Sequence, residues 1–128
     1  MCSSDLRRLG VLTDTGCPTP HIERTLSGVQ ALVLEANHDA RMLREGPYPP
    51  ALRQRIAGRF GHLENSEAAS LLKAIDATRL QHLVAAHLSL KNNTAELARA
   101  AFAGALDCEA EWIGVATQAE GFGWRSIA

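Results

Sequence analysis

Three short apolar runs, each stopping abruptly on polar residues, limit what this chain can fold into. "RLGVLTDTG" is apolar through Val11 and Leu12, then stops at Asp14 and Gly16. "VQALVLEANHD" is apolar from Ala31 to Leu34, then presents Glu35, Asn37, His38 and Asp39. "QHLVAAHLSLKNN" ends on His87, Ser89 and two asparagines. Continuous apolar runs of this length, bounded by turn residues, suit strands covered on both faces, as in layered α/β proteins.

Helical patterns lie between the runs. "PTPHIERTLSGV" offers Thr19 as an N-cap, Pro20 in the first turn and Gly28 as a stop. "PPALRQRIAGRFG" sets Leu52, Ile56 and Phe60 on one face. "ENSEAASLLKAID" carries Asn65 or Ser66 as its cap, and "NNTAELARAAFAGALD" has Asn93 or Thr94. The tail, "EAEWIGVATQAEGFGWRSI", reads as two strands around a turn at Ala119 to Gly123. The predicted order is strand, helix, strand, helices, strand, helix and hairpin. In such sheets functional groups gather beyond the carboxyl ends of the strands. Asp14, the Glu35–Asp39 cluster and His87 all fall at that edge.

A length of 128 residues implies one domain. At 46% hydrophobic and 21% charged the chain is too apolar for disorder. A formal net charge of −1 provides no global basic field for nucleic acid, although a local groove stays open. Cys2, Cys17 and Cys108 form no CxxC pair, so neither a zinc knuckle nor a disulfide framework is expected, and a reducing, cytoplasmic setting is the default. No run approaches the ~18 residues of a membrane helix, and "MCSSDLRRLG" lacks the apolar stretch of a signal peptide. Because strand-like sequence begins by Leu9, residues 1–8 read as a non-native or truncated start, with 9–128 as the folded part.

Each candidate residue also has a plain structural reading. Asp14 before Thr15-Gly16 is ordinary turn chemistry, or a carboxylate able to bridge two cations. His87 is a hydrogen-bonded histidine beside a core strand, or a metal ligand whose second nitrogen a neighbour holds. His62 in "GHLEN" follows a helix end, where its charge suits the dipole; as a mobile, exposed imidazole it would serve as general acid or base. Glu35, Asn37, His38 and Asp39 form a solvated loop or a support for the site. Cys17 and His21 lack a third orienting group, which argues against a thiol nucleophile.

Taken in order, "TDTG", "LEANHD", "GHLEN" and "AHLSLKNN", with "GPYP" between the second and third, resemble the second half of metallo-β-lactamase-superfamily hydrolases. The likeness is greatest to the YycJ-like branch, near the ribonuclease Z and ribonuclease J phosphodiesterases, and it covers the chain from about Leu9. It implies half of a four-layer αβ/βα fold with two divalent metal ions, zinc or manganese. It also implies a nucleic-acid or other phosphoester substrate. By the same resemblance Asp14 is the bridging ligand, His87 a second ligand and His62 the group that assists proton transfer to the leaving oxygen. Glu35, Asn37, His38 and Asp39 are left supporting roles.

The chain departs from that pattern in one respect. The HxHxDH motif that supplies most of the family's ligands is absent. Two ligands, Asp14 and His87, cannot hold two ions. The expectation is therefore the C-terminal part of a longer enzyme, inactive alone and missing the N-terminal half of its fold. The alternatives are a small complete α/β binding module without catalysis, or a metal-free member of the family.

Overall fold

The computed structural model describes residues 6–58, 61–118 and 120–128. Phe60 of the predicted helix face, Ala119 of the predicted turn and residues 1–5 of the proposed foreign start, Cys2 among them, lie outside the described residues.

Four strands, β1 (Leu9–Leu12), β2 (Ala31–Glu35), β3 (His82–Ala86) and β4 (Gly114–Val115), form one parallel sheet in the order β1-β2-β3-β4. The register sets Leu12 beside Leu34 and Glu35 beside Ala86, so β2 and β3 end level with each other. Helix α1 (Pro20–Leu26) links β1 to β2. Helices α2 (Ala40–Glu45), α3 (Pro50–Ala57) and α4 (Asn65–Ala74) link β2 to β3, and α5 (Ala95–Leu106) leads through a 3₁₀ turn at Ala110–Trp112 to β4. Parallel neighbours require such crossovers, which are right-handed almost without exception. With every step taken in the same direction, the helices collect on one face.

The core lies on that face. Leu32, Leu34, Leu83 and Ala85 of the sheet pack with Leu26, Leu71, Leu72, Ala98 and Phe102 of the helices, all at most 5% exposed. Gly10 allows α1 to approach, since a Cβ there would lie 2.8 Å from the Leu26 side chain. On the opposite face the expectation of strands covered on both sides holds for the inner strands, where Ala31 and Val84 are buried. It fails at the edge strand, where Leu9 and Val11 are 60% and 61% exposed. Among the described residues the irregular tail (122–128) lies across that face. The tail is held by His82 Nε2 at 2.7 Å from the Ser126 carbonyl and by Ala128 N–H donating to Gln81 Oε1 at 2.8 Å. Continuous apolar runs suit burial on both faces, but this chain brings helices to only one of them.

Local chemistry accounts for the element ends. Thr19 and Thr94 cap α1 and α5, accepting from Ile22 N and Leu97 N. Asn93, the other cap considered for α5, is instead buried, exchanging amide hydrogen bonds with Asn65 at 2.9 Å and donating to the Ala36 carbonyl at 2.7 Å. The N-cap of α4 is Glu64, with no side-chain capping bond, rather than Asn65 or Ser66. Helix α2 was not apparent from the sequence because it has only six residues; Asp39 caps it, accepting from Met42 N at 3.1 Å. Of the expected C-terminal hairpin the described residues keep one antiparallel bridge, Thr117–Gly121. Its first half extends the parallel sheet as β4, and its second half lies on the sheet as the tail. Among the described residues no helix is long and apolar enough to cross a membrane.

Candidate metal centre

At the carboxyl ends of β1, β2 and β3, three segments converge on one buried carboxylate. Glu35, the last residue of β2, is fully buried. Its Oε1 accepts from the Asp14 backbone N–H at 2.7 Å and meets His87 Nδ1 at 2.7 Å. Its Oε2 accepts from the Leu63 backbone N–H at 3.1 Å and meets His62 Nδ1 at 3.1 Å. A carboxylate has about four acceptor sites, so Glu35 is saturated.

The backbone bends to make this convergence. Asp14 and His87, just beyond β1 and β3, both adopt φ of 60°. This left-handed conformation is uncommon for residues other than glycine and is held only where surrounding contacts fix it. For His87 those contacts are its bond to Glu35 and its carbonyl, which accepts from Asn37 Nδ2 at 2.9 Å. His62 reaches the site because residues 62–64 run beside 37–38. Asn37 N–H donates to the Leu63 carbonyl at 2.9 Å, and His38 pairs with Glu64 in a parallel bridge. The sequence left His62 as a histidine at a helix end or as a mobile, exposed imidazole. Its side chain is instead 35% exposed and tethered through Nδ1 to Glu35, because the strand-like pairing around it brings it over the end of β2.

The two imidazoles stand edge to face, with centroids 5.4 Å apart. The Asp14 carboxylate is largely exposed and makes only long contacts, 3.5 Å to His87 Nδ1 and 3.9 Å to His62 Nδ1. Donor atoms of Asp14, Glu35, His62 and His87 all lie within 4.8 Å of one another. The hydrogen bond that His87 Nδ1 donates to Glu35 raises the pKa of His87, against partial burial and with help from the charges of Glu35 and Asp14.

This donor set fits a divalent cation. Glu35 engages the Nδ1 of each ring, which fixes the tautomer and leaves both Nε2 atoms for a metal, a common arrangement of carboxylate, histidine and metal. Asp14 adds an oxygen donor, and imidazole with carboxylate suits zinc or manganese. Asp14, His62 and His87 could hold an ion, whereas Glu35 has no acceptor site to spare.

The remaining sequence candidates occupy different places. Asn37 Nδ2 donates to the His87 backbone carbonyl. His38 is buried behind the site, Nδ1 3.3 Å from Asn37 Oδ1 and Nε2 without a hydrogen-bond partner. Burial lowers its pKa, outweighing the charge of Glu64. Asp39 caps α2, accepting from the Met42 N–H. Sequence reasoning gave Glu35 no more weight than its three neighbours, although an acidic residue directly continuing an apolar run was a signal that it is buried.

A protein named exodeoxyribonuclease YycJ from Bacillus anthracis is 37% identical over 110 residues, spanning 86% of this chain and 42% of that protein. One named exodeoxyribonuclease WalJ from Streptococcus pneumoniae serotype 2 (strain D39) is 36% identical over 88 residues, spanning 69% of this chain and 33% of that protein. The chain belongs to the YycJ-like family of the metallo-β-lactamase superfamily. The YycJ-like chain spans less than half the length of these curated relatives. No family model matches it, and no solved structure matches it.

Proposed function

We propose that the chain is the C-terminal part of a metal-dependent phosphodiesterase that degrades DNA, built on half of a four-layer αβ/βα fold. The observation that carries this reading is the buried Glu35 carboxylate holding His62 and His87 by Nδ1 beside the exposed Asp14 carboxylate. The names of the relatives supply the substrate class. The missing N-terminal half would cover the open sheet face around Leu9 and Val11, where exposed apolar area otherwise favours association.

Asp14 and His87 would hold two divalent ions together with ligands from that half. Bound ions supply Lewis acidity and lower the pKa of water to near neutrality. Asp14, with two oxygens, suits the bridging position. His62, held through Nδ1 by Glu35, would present Nε2 towards the leaving oxygen and, with that nitrogen protonated as well, donate its proton there. Residues 9–128 thus contribute three functional side chains and the carboxylate that orients two of them.

Calorimetric titration with zinc and nuclease assays test this reading. Residues 1–128 alone should bind zinc weakly and leave labelled DNA intact. The intact gene product should degrade DNA, and Asp14→Ala should reduce the rate more than about a hundredfold. Tight, stoichiometric binding of two ions by residues 1–128 alone would sink the proposal.

A further inference from the structure

Beside the His62–His87 pair lies a cavity of about 660 Å³, entered past Tyr48, Leu52, Arg55, Ile56, Lys91 and Gln118. Among the described residues no carboxylate lines it, although the chain carries 14 acidic residues against 13 basic ones. Arg55 on α3 and Lys91 on the loop after β3 both line it. Neither is paired with a carboxylate among the described residues. Their charge faces the cavity unneutralised, a local field that the net charge of −1 conceals.

The wall carrying Tyr48 is rigid. Pro47, Pro49 and Pro50 surround it, and α3 begins directly afterwards. The ring is partly buried, with Lys91 Nζ 5.8 Å from its centroid. Helix α3 has no buried residue, so Leu52 and Ile56, apolar and on one face, are turned to the cavity instead of the core. An aromatic platform, flanking apolar side chains and two cations along a groove leading to a candidate hydrolytic site match the chemistry of an unpaired nucleic-acid strand. Bases stack on aromatic faces while phosphates meet lysine and arginine. A base inside a duplex cannot present its face to Tyr48.

Resting on the phosphodiesterase reading above, we propose that this cavity receives the terminal unpaired nucleotides of a DNA strand. Tyr48 stacks a base, and Arg55 and Lys91 hold the flanking phosphates. The phosphate to be cut then lies between His62 and His87. A blunt duplex would have to fray before entering.

Fluorescence anisotropy of labelled oligothymidylate and of a blunt duplex tests this, using the intact gene product in chelator so that nothing is hydrolysed. Oligothymidylate should bind more tightly than the duplex. Tyr48→Ala should weaken its binding about tenfold or more, and Tyr48→Phe should restore it. Arg55→Gln and Lys91→Gln should each reduce the log–log salt slope by about 0.7. These positions are exposed or partly so, and thermal melting checks that each variant is folded. Unchanged oligothymidylate binding by a folded Tyr48→Ala variant, or duplex binding as tight as single-strand binding, would overturn the proposal. Its failure is distinguishable from failure of the metal-site reading: an active Asp14→Ala enzyme refutes the latter and leaves the binding series interpretable.

Discussion

Replacing Glu35 with glutamine keeps the side chain's volume but turns one of two saturated oxygens into an NH₂ group. Each oxygen now serves one backbone N–H and one imidazole Nδ1. Whichever oxygen is lost, the new amide hydrogens face a backbone N–H that cannot change its role. One buried donor is then unsatisfied, at a cost of about 1–3 kcal/mol, and one charge-assisted bond worth about 1.5–3 kcal/mol disappears. Relief of a buried charge offsets part of this. A net loss of roughly 2–3 kcal/mol follows, or about 10 °C in Tm for a domain of this size. The imidazole facing the new NH₂ can still accept through Nδ1, but its proton then moves to Nε2 and that nitrogen cannot bind metal. Zinc affinity should therefore fall about 10- to 100-fold. Removing the group that raises the His87 pKa should also lower that value, as read by NMR titration. Urea unfolding without metal, zinc competition and the His87 titration test the three consequences separately. A Glu35→Gln variant with wild-type stability and zinc affinity would refute the hub assignment.

Two further outcomes follow from the geometry. Asp14→Gly keeps the N–H that Glu35 accepts and relaxes a φ of 60°, so urea unfolding should show stability unchanged or raised by up to about 1 kcal/mol; zinc binding should still be lost, and destabilisation beyond about 1 kcal/mol would show that the carboxylate is structural. Because burial lowers the folded-state pKa of His38, the unfolded chain takes up this proton first as pH falls. The His38 contribution is therefore complete above pH 6.5 and lost as pH falls from there towards the folded value. In metal-free buffer, the fall in Tm across that interval should be shallower for His38→Gln than for the wild type.

Much of the sheet was legible in the sequence because its signals are local. Apolar runs ending at Leu12, Leu34 and Ala86 gave the three main strands, and Thr19 and Thr94 behind helical periodicity gave two caps. Where tertiary contact outweighs local signals, the sequence was less informative. The tail's alternating pattern suits a hairpin strand, yet the tail is held by hydrogen bonds to Gln81 and His82 while Phe122 and Trp124 stay exposed. Asn93 resembles a cap, but burial pairs it with Asn65 across 28 positions.

The candidate site divides in the same way. The sequence determined which residues stand just beyond the strands, so Asp14, Glu35 and His87 were recognisable from strand ends alone. Only the tertiary structure decided their order of importance. Parallel register brings Glu35 level with Ala86, and the bridge between His38 and Glu64 carries His62 over the same carboxylate. A saturated buried carboxylate depends on donors 21, 27, 28 and 52 positions away, a closure in space that no local pattern encodes.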